Sequence, residues 1–114
     1  MTAPLTQLTI VDAVNPGTEN EALVIKVNDT IDLADVIVYD TTYDGEGNIS
    51  NKERHFYRFS TQIVHAGDTV VLVSRKTGVS SAPLANQPNA SVYAFGWNLE
   101  HTVWNKGADN ASIA

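Results

Sequence analysis

A chain of 114 residues is sized for one hydrophobic core, and its lack of cysteine excludes both a disulfide framework and a thiolate metal site. Thirteen acidic side chains against seven Lys and Arg give a net charge of −6, a poor match to a phosphate backbone or an anionic bilayer, so neither nucleic acid nor a membrane is an expected partner. The start of the chain has no basic region or apolar run, and no stretch approaches the ~20 apolar residues of a membrane span, so the expectation is the cytoplasm, an assembled particle, or a piece of a longer protein.

Residues 1–6 read as a flexible arm ahead of one domain over residues 7–114. Residues 8–12, Leu-Thr-Ile-Val-Asp, alternate apolar and polar side chains and predict a first strand. Asn15-Pro-Gly17 is a turn, because proline presets φ and glycine accepts positive φ. Residues 22–27 predict a second strand with Leu23, Ile25 and Val27 on one face and Lys26 on the other, the pattern of a half-exposed sheet. Asn28-Asp29-Thr30 turns the chain into Ile31-Asp-Leu33 and a β-branched third strand at residues 36–39. Residues 41–54, with Tyr-Asp-Gly-Glu-Gly-Asn at their centre, read as an exposed loop or hairpin tip. Residues 55–59 follow as an aromatic strand with Tyr57 and Phe59 inward. Ala66-Gly67-Asp68 makes another turn before residues 69–74, the strongest strand by β-branched content.

Residues 77–89, rich in Ser, Ala and Asn and holding Pro83 and Pro88, read as a long surface loop. Residues 91–95 return as a strand, 96–101 turn, and 102–113 close the chain. In that closing stretch Trp104 is a buried strand end, followed by a polar corner and an apolar return through Ala111 and Ile113. No segment sustains a helical period, and Pro and Gly punctuate at the intervals of an all-β sandwich or barrel. The predicted core residues are Leu23, Ile25, Val38, Phe59, Leu72 and Trp104.

Several of these segments stand in the order of a known family's motifs. Glu21-Ala-Leu-Val-Ile-Lys26 looks like its strand ending in Ile-Lys-Asn, and Ile31-Asp-Leu33 with Val36-Ile-Val-Tyr-Asp40 like its Val-Asp-Leu-x-Gly-Trp-x-Leu-x-Asp segment. His55-Phe-Tyr-Arg-Phe59 is similar to its Tyr-x-Phe-Pro strand, and residues 63–72 to its Leu-x-Pro-Gly-x-x-Val-x-Val hairpin. Trp104-Asn105 and residues 109–113 are similar to its closing Trp-Asn-Asn-x-Gly-Asp-x-Ala-x-Leu signature. From Asn20 onward the chain thus resembles the lamin tail domain, found at the end of nuclear lamins and widely in bacterial proteins. It departs where Val36 replaces a frequent Trp, where Gly107 and Ala108 shift the closing glycine, and at Ala114, where family members usually continue with one more strand.

The resemblance implies an immunoglobulin-like antiparallel β-sandwich of the lamin tail type. It also implies a non-catalytic interaction or structural module, because an open sheet edge offers unpaired N–H and C=O groups to a protein partner or to a second copy. Such a module suits a subunit of a larger assembly, a virion decoration or tail component among them. Many bacterial members imply a different setting, as an accessory domain of a larger extracellular hydrolase or nuclease.

The residues that carry chemistry form no catalytic set. His55, His65 and His101 have no metal-ligand spacing. Asp40, Asp44, Glu46 and Asn48 form a weak calcium candidate, since hard cations want clustered oxygens. Aligned as an EF-hand loop from Asp40, however, the chain places Thr42 and Asn51 where acids are needed. Asp12, Asp32, Asp35 and Asp109 sit at strand ends or turns, where Asp bonds its local backbone. Ser74, Ser80 and Ser81 read as plain strand or loop serines, with no nucleophile elbow or phosphate loop nearby. No enzyme activity and no cofactor are expected. Trp97 and Tyr93 either pack at an edge or contact a partner. With the 40–48 loop they make the alternative, a carbohydrate- or calcium-binding module. The sequons at Asn28, Asn48, Asn89 and Asn110 read as Asn-rich turns.

Overall fold

The computed structural model describes residues 6–40, 56–84, 87–99, 104 and 111–113. Its strands are β1 (Leu8–Val14), β2 (Ala22–Val27), β3 (Ile31–Asp32), β4 (Ile37–Asp40), β5 (Phe56–Arg58), β6 (Ile63–Val64), β7 (Thr69–Val73), β8 (Val79–Leu84), β9 (Gln87–Gly96) and β10 (Ala111–Ile113). A single 3₁₀ turn (Leu33–Asp35) is the only helical element among the described residues, and it starts where the Asp32 carboxylate accepts from the Ala34 N–H. The fold is all-β.

Period-two burial organises the main sheet. In β2, Leu23, Ile25 and Val27 are fully buried while Lys26 is exposed. In β7, Val70 and Leu72 are fully buried between half-buried neighbours. The strand order is β1-β2-β7-β9-β8, with β10-β4-β5 as a second sheet and β3-β6 as a short ribbon. Leu23, Ile25, Val70, Leu72 and Phe95 from the first sheet, Val38 from the second and Val64 from the ribbon join Leu33, Val36, Phe59 and Trp104 in one core. Tyr57 and Ile113 are half-buried against it.

The main sheet is mixed rather than antiparallel. β7 and β9 run parallel, from Thr69↔Val92 to Val73↔Gly96, while β1–β2, β2–β7 and β8–β9 are antiparallel. After β7 the chain crosses through residues 74–78, runs out as β8 and returns as β9, and the returning strand docks. Composition explains the choice. β9 carries Tyr93 and Phe95 to the core, whereas the described side chains of β8, from Val79 to Pro83, are all exposed. The crossing needs Gly96, because a Cβ there would collide with the Lys76 carbonyl and the Thr77 Cα. The Asn98 and Leu99 amides tie the same crossing down, donating to the carbonyls of Lys76 and Ser74 at 2.8 Å.

The expected surface loop at residues 77–89 is therefore a correction: β8 and the first part of β9 occupy it. Proline misled the reading, since Pro83 lies on an edge strand and Pro88 within an irregular stretch of β9, between the partners of Pro83 and Leu84.

Candidate functional site

The sequence pointed to Trp97 and Tyr93, and the structure half-buries both against the core. Trp97 stands in a chain of aromatic contacts. Phe95 meets Phe59 at 4.9 Å between ring centroids, Phe59 meets Tyr57 at 4.9 Å, Tyr57 meets Trp97 at 5.9 Å, and Trp97 meets Trp104 at 6.1 Å. Most of these rings meet edge to face, the arrangement that quadrupoles favour. Trp97 is thus a packing ring with part of its surface in water. Tyr93 stands on β9 directly opposite Ser81 of β8.

Burial pushes the Tyr57 hydroxyl pKa above the usual tyrosine value of 10.0. The folded chain therefore resists ionising this phenol. As pH climbs past about 10 the unfolded chain loses its proton first, so stability falls from there up through the raised folded pKa. Urea unfolding between pH 8 and 11 is expected to show this decline in the parent and a shallower one in Tyr57→Phe. Parallel declines would assign the alkaline loss to other groups.

The calcium candidates are not brought together in view. The backbone of Asp40 ends β4, while its side chain and Asp44, Glu46 and Asn48 lie outside the described residues, as do His55 and His101. His65 is exposed, with Nδ1 4.0 Å from the buried Asp68 carboxylate. Among the described residues no three His, Asp or Glu side chains cluster as metal ligands. None of the helical structure among them is long and apolar enough to cross a membrane.

Sequence reasoning passed over two buried acids that hold the backbone. Glu21 is fully buried: Oε1 accepts from the Ser74 hydroxyl at 2.7 Å and Oε2 from the Gly17 N–H at 2.8 Å. Asp68 accepts from the His65 N–H and the Ser91 N–H, both at 2.9 Å, fastening the 65–68 turn to β9. The adjoining turns were legible as turns, but burial of the acids beside them is set by which strands meet there.

The feature with the most to offer a partner is the outer edge of β8. The Gly96 N–H donates to the Gly78 carbonyl at 2.8 Å, and these residues stand opposite each other one step beyond Val79↔Phe95. A hydrogen-bonded opposed pair fixes the alternation of an antiparallel ladder. Gly78, Ser80 and Ala82 therefore turn their backbone groups toward β9, and Val79, Ser81 and Pro83 turn theirs outward. Pro83 sits where a missing N–H costs the β8–β9 ladder nothing. The outward row offers N–H groups at Val79 and Ser81 and carbonyls at Val79, Ser81 and Pro83. Among the described residues no strand pairs with it.

The outer edges of β1 and β5 are guarded. β1 is bulged between Ile10 and Asp12, and Asp12 spends Oδ1 on the Ala13 N–H. β5 is three residues long and carries the exposed Arg58. No charged residue occurs between Lys76 and Glu100, so β8 has none of the charges that keep natural edges apart. That charge-free run is the sequence signal that could have found the site.

No family model, no curated protein and no solved structure matches the chain.

Proposed function

We propose that the chain is a non-catalytic interaction module, a subunit of a larger assembly, that takes an extended strand of a protein partner onto the outer edge of β8. The observation that carries this reading is the outward row at Val79, Ser81 and Pro83, exposed, uncharged and unpaired among the described residues. Strand addition draws its affinity from main-chain hydrogen bonds, and this edge has them to give.

The proposed scaffold is an immunoglobulin-like sandwich of the lamin tail kind. In support, β1-β2-β7 follow the order of strands A-B-E, and β10-β4-β5 that of F-C-C′. The departure lies beside β7, where an antiparallel D strand is replaced by the parallel β9. The interacting edge would then belong to a hairpin added between E and F.

Co-purification from the native source tests the reading. Wild-type chain is expected to retain a partner that Ser81→Pro loses, with cross-links mapping to residues 77–84 and the melting temperature little changed. A partner held equally by both chains would overturn it, because Ser81→Pro removes an outward N–H and leaves the β8–β9 ladder intact.

A further inference from the structure

We infer that the strand received by β8 is β8 of a second copy, paired antiparallel about a two-fold axis at Ser81, so that the two main sheets become one. This rests on the reading of β8 as a strand-accepting edge and names its occupant.

The backbone register is self-complementary. With the axis at Ser81, its N–H and C=O meet the C=O and N–H of Ser81 in the other copy. Val79 lies opposite Pro83 of the other copy, and the Val79 N–H reaches the Pro83 carbonyl. Every outward N–H on both strands then has an acceptor. The Val79 carbonyl alone faces a proline, at the end of the ladder where water reaches it. An isologous two-fold contact of this kind is the commonest route to a closed dimer.

Charge selects the same occupant. Each copy carries a net −6, so two copies approach at least cost where carboxylates are absent. The charge-free run from Thr77 to Leu99 is such a surface, and β8 lies within it. A basic partner would find nothing on this strand to pair with, whereas another neutral strand meets its own kind. Side chains raise no obstacle: Ser80, Ser81 and Ala82 are small and exposed. On the axis the two Ser81 hydroxyls come side by side, a cross-strand pairing that adds to the contact.

Sedimentation of the full chain over a concentration series is expected to show a monomer–dimer equilibrium. Ser81→Pro removes two outward N–H groups per dimer and is expected to weaken it about tenfold or more. Pro83 already shows that this side of β8 accepts proline. A second measurement needs no change to the backbone. The chain has no cysteine, so Ser81→Cys under mild oxidation is expected to give a covalent dimer. Opposed Cα atoms about 5.5 Å apart suit a disulfide. Val79→Cys is expected to stay uncoupled, because its two copies would lie roughly 13 Å apart along the strands.

A wild-type chain that stays monomeric at high concentration overturns the dimer. So does a dimer indifferent to Ser81→Pro, or Val79→Cys coupling as fast as Ser81→Cys. If the wild type is monomeric while a foreign partner still depends on Ser81, the dimer falls and the strand-accepting edge stands. If neither association depends on Ser81, both fall.

Discussion

Trp104→Ala is expected to destabilise the fold by about 3–5 kcal/mol, the range for truncating a large buried aromatic. The indole is fully buried and ends the run of rings that begins at Phe95. Its removal would take away the wall against which Trp97 packs and open a cavity in the core. Such a loss is a large share of the roughly 5–15 kcal/mol that holds a domain together. A comparison within the site sharpens the test. Among the described residues the indole Nε1 finds no hydrogen-bond acceptor, and a buried donor without one costs about 1–3 kcal/mol. Trp104→Phe keeps much of the ring and deletes that donor, so its cost is expected to be less than half that of alanine. Urea unfolding followed by circular dichroism measures both. A loss under about 1 kcal/mol for alanine would show that the ring is not part of the cooperative core.

What the sequence showed and what it hid divide along physical lines. Leu23, Ile25 and Val27 alternate with partly or fully exposed residues, so their shared face was readable from local order alone. The pair of Tyr57 with Phe59 was readable for the same reason, whereas in β7 four consecutive apolar residues hid which of them face the core. The β8–β9 hairpin was not. Its outer strand is exposed from Val79 to Pro83 on both faces, so no periodicity marks it, and proline at an outward-facing edge position looks the same in sequence as proline in a loop. Parallel pairing of β9 with β7 was hidden too, because it depends on which arm of the hairpin carries enough apolar area to displace the other from the sheet. The candidate site inherits both obscurities. Tyr93 and Trp97 drew notice as aromatics, yet the groups proposed to bind are backbone N–H and C=O, which every residue has. Only the charge-free run reported them, and it does so by what it lacks.

Glu21→Ala is the second large effect expected, at about 3 kcal/mol or more. The side chain has no exposed surface, and its two oxygens join parts of the chain that local structure leaves separate. Oε2 holds the Gly17 N–H in the 15–20 turn, where Asn15 and Gly17 both take positive φ. Oε1 holds the hydroxyl of Ser74, which sits just past β7 where the chain begins to cross toward β8. The Ser74 N–H donates to the Glu21 carbonyl at 3.1 Å, so backbone and side chain clamp the same corner. Alanine strands the buried Ser74 hydroxyl at about 1–3 kcal/mol, takes the acceptor from the Gly17 N–H in the exposed turn, and leaves a cavity where the buried side chain stood. Ser74→Ala removes one of those contacts and is expected to cost about 1–3 kcal/mol, with a coupling to Glu21→Ala that a double-mutant cycle reads directly. Glutamine separates shape from charge. Its amide oxygen can accept from Gly17 while its NH₂ donates to a Ser74 hydroxyl free to rotate, so both contacts survive. Glu21→Gln is therefore expected to cost less than half of Glu21→Ala. Equal losses would mean that the carboxylate's charge, and not its place between Gly17 and Ser74, holds the corner from which the β8 hairpin departs.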